Sequence, residues 1–87
     1  MSLPIGEVPV FNCVVHLRRE DNQIAARVAN LEGLQCVARD ERTAISQLVT
    51  EFKQVVRQRH AAGSLHLKDP PDPALEGEET RLIPVHL

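Results

Sequence analysis

IAARVANLEGLQCVARDERTAISQLVTEFK, residues 24–53, decides the fold. Its first half holds two short apolar segments on either side of Asn30-Leu31-Glu32-Gly33. Ile24 to Ala29 places Ile24, Ala26 and Val28 on one face, the period-two pattern of a strand. Leu34 to Ala38 places Leu34 and Cys36 together and Val37 opposite. Gly33 supplies the positive φ that a tight turn between the two strands needs. The second half changes period. Ala44, Ile45, Leu48, Val49, Phe52, Val55 and Val56 form one stripe at 3.6-residue spacing, which predicts an amphipathic helix over about 41–60. Asp40 is its expected N-cap, Glu41 suits the positive end of the helix dipole, and Gly63 is its expected stop.

Outward from this stretch, Val8 to Leu17 is rich in β-branched residues and reads as an earlier strand. Phe11, Cys13, Val15 and Leu17 share one of its faces; Val10, Asn12, Val14 and His16 share the other. Arg18 to Gln23 is a polar hairpin connection with Asp21 and Asn22 at the turn. Ser64 to Glu79 reads as a long connection carrying Pro70, Pro71 and Pro73 and the acidic run Glu76-Gly77-Glu78-Glu79. Thr80 to Leu87 alternates again and predicts a last strand, which Pro84 assigns to a sheet edge. The fold class expected is α+β: a β-β-β-α-β unit with sheet order 3-2-1-4 and one helix on one face. A right-handed helical crossover would make the last strand parallel to the first, giving a mixed sheet.

At 87 residues the chain is a single small domain, 1–87. Two Phe and no Trp or Tyr leave the core to Val, Leu, Ile and Ala. Such a core has a modest stability margin, for which self-association is a natural supplement. The net charge of −2 offers no general attraction to nucleic acid or anionic membrane. Two cysteines do not make a disulfide framework. No apolar run approaches the roughly 20 residues of a membrane span. Met1-Ser2-Leu3-Pro4 lacks signal-peptide character, so a reducing cytoplasmic location is expected.

The segment Ala26-Arg27-Val28-Ala29-Asn30-Leu31-Glu32-Gly33-Leu34, followed by a capped helix, resembles the HicB-type antitoxins. These are small proteins that neutralise HicA-type toxins, which cleave messenger RNA. Their pattern runs approximately A-x-x-P-D-L-P-G-C before a strand and a capped helix. Ala26, Leu31, Gly33 and Ala44 match it; Asn30, Leu34 and Asp40 replace the usual Asp, Cys and Ser or Thr. Ala29 and Glu32 stand where Pro is usual, and Ala38 where Gly is common. The resemblance covers about Phe11 to Val56. It implies a partial ribonuclease H-like fold, a HicA-like toxin as partner and inhibition by direct contact. Many relatives carry a DNA-binding segment after this domain. No second helix and no basic motif follow residue 60 here, so DNA binding is not expected.

No catalytic set accompanies this pattern. Two-metal phosphodiester cleavage needs carboxylates converging from strand centres, and the strand centres here offer Asn12, Cys13, Val14, Ala26 and Cys36. Neither a catalytic, a cofactor nor a metal set is therefore expected, and the chain reads as a non-enzyme. Cys13 and Cys36 both read as helix-facing small hydrophobes, separated by one strand and about 9–10 Å. His16 and His86 read either as surface side chains or as a pair on the open sheet face. The partner surface expected is that face: Val10, Val14, Ala25, Val37 and Leu82, with His16, Arg27 and Arg39 at its rim. An apolar centre with a charged border is interface anatomy, while a partly solvated antiparallel face is the plain alternative.

Overall fold

The computed structural model describes residues 9–87. Met1 to Val8, including the first residue of the expected first strand, lie outside the described residues. Four strands and one helix follow in the order β1 (Val10–Glu20), β2 (Gln23–Val28), β3 (Gln35–Ala38), α1 (Glu41–Ala61) and β4 (Glu79–His86). They form one sheet in the order β3-β2-β1-β4, as the sequence pattern predicts.

Strand β1 continues three residues past the apolar stretch, because Arg18, Arg19 and Glu20 pair with Ala25, Ile24 and Gln23. Only Asp21 and Asn22 are left for the turn, and Asp21 takes φ 54°. Aspartate is among the few side chains that tolerate that region. Strand β3 begins at Gln35, one residue later than the pattern suggests, and ends at Ala38 as expected, with Arg39 beyond it.

α1 begins where Asp40 accepts the Thr43 backbone N–H at 2.7 Å. It ends in a Schellman arrangement. Gly63 has φ 70°, its N–H donates to His60 O, and Ser64 N–H donates to Arg59 O. Ala44, Leu48, Phe52 and Val56 are the fully buried residues of the stripe. They close over Cys13, Val15, Leu17, Ile24, Ala26 and Val28 from the sheet. Each large aliphatic or aromatic side chain so buried contributes about 1.5–3 kcal/mol.

The sheet is not mixed. β4 pairs antiparallel to β1, from Leu17↔Glu79 to Val10↔His86, and so does every other neighbouring pair. The helix leaves the chain beside the start of β1, where His60 meets the Phe11 ring edge-on at 5.6 Å. A strand entered there would run parallel to β1. Instead residues 62–78 travel the length of the sheet before β4 begins, and this reverses its direction. The edge position inferred from Pro84 holds. In this register Pro84 and its even-numbered neighbours turn their backbone groups away from β1, so the missing N–H leaves no gap in the ladder.

Candidate functional site: the strapped sheet face

The face opposite α1 carries Val10, Val14 and His16 from β1, Ala25 and Arg27 from β2, Val37 from β3 and Leu82 from β4. Sequence alternation groups these residues correctly, but the face is not open. The 62–78 connection crosses it as a strap. At the strap's beginning Lys68 N–H donates to Asn30 O and Asp72 N–H to Ala29 O, both at 2.9 Å. Val14 and His16, at the centre, are only 7% and 4% exposed. The outer members remain accessible: Val10 at 48%, Val37 at 58% and Leu82 at 68%. Two apolar strips therefore flank a covered middle. Arg39, expected at the rim, is exposed beyond the end of β3.

His16 is neither a surface side chain nor half of a histidine pair. His86 pairs with Val10, six residues along β1 and so about 20 Å away. The His16 ring bridges two segments: Nε2 lies 2.7 Å from Asp72 O and Nδ1 lies 2.9 Å from Thr80 Oγ1. A carbonyl only accepts, so Nε2–H donates to Asp72 O, while Nδ1 shares a hydrogen bond with the threonine hydroxyl. Both ring nitrogens of this buried imidazole therefore have hydrogen-bond partners.

Beside it stands a bidentate ion pair. Arg27 Nε and Nη2 donate to the two carboxylate oxygens of Glu78 at 3.0 and 2.8 Å. The guanidinium also reaches Pro73 O at 3.2 Å. Glu78 is 6% exposed at its side chain and accepts the Leu75 backbone N–H at 2.7 Å as well. The Arg27 hydrogen bonds, assisted by that N–H, hold its carboxyl down at about 2. A second pair closes the strap's beginning: Lys68 Nζ meets Asp72 at 2.9 Å and Glu32 at 3.3 Å. The Lys68 ammonium keeps the Asp72 carboxyl below its ordinary range. At the start of β4, Arg81 ties Glu79 to Glu41 of the helix.

These pairs change the charge the strap presents. Of the acids from Asp69 to Glu79, Asp72, Glu78 and Glu79 are occupied by Lys68, Arg27 and Arg81. Asp69 and Glu76 have no basic partner among the described residues.

Asn30, where the sequence pattern substitutes for aspartate, has a definite structural task. Its Oδ1 accepts from Val14 N–H at 3.1 Å, and its Nδ2 donates to Asn12 O at 2.7 Å. The side chain thus continues the β2 ladder after the backbone has turned away. An aspartate could not donate the second bond.

On the β3 side of the strap lies a shallow depression of about 430 Å³, lined by Arg18, Ala25, Arg27, Gln35, Val37 and Glu78. Nucleophile chemistry finds no support in the cysteines. Cys13 is fully buried, and burial pushes its thiol up to about 12, far from the thiolate form at neutral pH. Cys36 is half-buried on the same side of the sheet, and its Sγ lies 3.7 Å from Ala44 O. Cys36 stands level with Leu17 rather than Cys13, so the two sulfurs are farther apart than strand spacing alone implies. Among the described residues there is no group of three or more His, Cys, Asp or Glu placed to hold a metal ion. Nor is any helix among them long and apolar enough to cross a membrane.

His16, Glu78 and Asp72 are the elements that sequence reasoning did not connect; a buried polar side chain in the centre of an apolar strand was the available signal. No protein-family model, no curated protein and no solved structure matches this chain.

Proposed function

We propose that the chain is a non-catalytic binding module of the HicB-like antitoxin type. In this reading it neutralises a HicA-like, messenger-RNA-cleaving toxin by direct contact, as a homo-oligomer in a reducing cytoplasm. The observation that carries it is the pair of apolar strips on the sheet face. Val37 and Leu82 are more than half exposed on strands that form the two edges of the sheet among the described residues. Such edges invite strand addition or face-to-face docking. The resemblance of Ala26 to Leu34 supplies the class of partner.

A second reading is a regulatory or structural homo-oligomer that kept the fold without a toxin. The ion pairs of the strap favour it, since three carboxylates that would attract a basic toxin are already engaged. Size-exclusion chromatography with light scattering, alone and with a HicA-type toxin, separates the two readings. A stable mixed complex that suppresses RNA cleavage supports the antitoxin. A homo-oligomer indifferent to toxin supports the second reading.

A further inference from the structure

We infer that the strap from Lys68 to Glu78 is a detachable cover, and that the face beneath it is a concealed binding surface for an extended acidic peptide segment of a partner protein. This rests on reading the sheet face as a partner surface, and it assigns the chemistry of what that surface accepts.

From Lys68 to Glu78 the directed contacts of the strap are polar, whereas Leu65 and Leu67 just before them pack against the core and Val14 is buried on the face beneath. Two backbone bonds and the Lys68 pairs hold the beginning. His16 holds Asp72 O in the middle, and Arg27 holds Pro73 O and Glu78 at the end. The strap's own large apolar side chain, Leu75, turns outward at 59% exposure. Neither proline flanking Asp72 is fully buried: Pro71 is half-buried and Pro73 exposed. Residues 68–78 are therefore held chiefly by hydrogen bonds and ion pairs, which water can replace, whereas Phe52, Leu48, Val15 and Ile24 hold the rest of the fold by burial.

Seen from the sheet, the same contacts are a recognition pattern. His16 Nε2–H asks for a backbone carbonyl. The Arg27 fork asks for a carboxylate a few residues farther along, in the bidentate geometry that guanidinium favours. His16 and Arg27 face each other across β1 and β2, with Val14 on one side of the pair and Ala25 on the other. The strap satisfies this pattern from within the chain, where tethering gives it an effective concentration in the millimolar range. A partner segment of like chemistry gains access as the strap lifts.

Hydrogen exchange on the unaltered protein is the first arm of the test. The Lys68, Asp72 and Leu75 amides should exchange at least tenfold faster than those in the β1–β2 ladder, and faster still at raised salt. Equal protection of strap and ladder would overturn the proposal, because the strap would then open only with the whole fold. The second arm uses a fluorescent peptide of residues 68–79 as ligand, read by anisotropy. It should bind Glu78→Ala at least tenfold more tightly than the unaltered protein, and lose that gain in the Arg27→Ala, Glu78→Ala double variant. Equal binding to all three would overturn it. Neither arm uses a toxin, so failure here leaves the antitoxin reading to its own assay.

Discussion

Asn30 illustrates how much one side chain settles in a domain this small. It supplies to β1 both a donor and an acceptor that the departing backbone of β2 no longer offers. Asn30→Ala should leave the Val14 N–H and Asn12 C=O unpaired and lower stability by about 1–3 kcal/mol. Urea unfolding monitored by far-ultraviolet circular dichroism measures that loss. Asp40 acts more locally. Its carboxyl is held below the ordinary range by the Thr43 N–H. Asp40→Ala should therefore fray the first helical turn, read as faster amide exchange confined to that turn. The cap was legible in the sequence because its spacing to the helical stripe is fixed. The task of Asn30 was not, since its partners lie 16 and 18 residues back on another strand.

At the scale of elements, β1 to α1 follow from local pattern alone: alternation, a two-residue turn, a glycine, a cap and a 3.6-residue stripe. The direction of β4 does not. Between Ala61 and Glu79 the chain has enough residues, at up to about 3.3 Å each, to enter the last strand from either end of the sheet. Its prolines and acids carry no periodic signal. The observed direction goes with the polar pattern on the sheet, where His16 and Arg27 meet partners 56 and 51 residues away. The strap also sets a pH dependence. Glu78 has its carboxyl lowered from 4.5 to about 2 in the folded chain. Its contribution is therefore complete above pH ~4.5 and is lost as the pH falls towards 2. Stability should decline over that window, and Glu78→Gln should flatten the decline while lowering stability at neutral pH by about 1–2 kcal/mol. Thermal unfolding at a series of pH values checks both. A slope unchanged by the substitution would show that Arg27 and Glu78 are not coupled in solution.

The whole molecule is elongated, with extents of 54 × 23 × 18 Å, and its two long flanks differ. One is the outer surface of α1; the other is the strapped face with its exposed Val10, Val37 and Leu82. If partners or second copies dock there, Val37→Glu and Leu82→Glu should weaken association at least tenfold. Being surface changes, they should alter stability by no more than about 0.5 kcal/mol. Light scattering across a concentration series and unfolding curves on the same samples test the pair of statements. Unchanged association would move the interface to the helix flank. The sequence made the apolar members of this face legible, because alternation is a local property. The division of the face into two strips was hidden, because it is made by a segment remote in the chain.

The placement of Cys13 has a practical corollary. With neither tryptophan nor tyrosine, the chain is nearly silent to ultraviolet absorption and intrinsic fluorescence, the usual reporters of unfolding. Yet it carries a built-in chemical clock. Cys13 is sealed in the core as a protonated thiol, whereas Cys36 is partly accessible at the short edge strand. Alkylation should mark Cys36 early and Cys13 only when the sheet and helix part. The lag between the two modifications, read by mass, would time that separation without an added label.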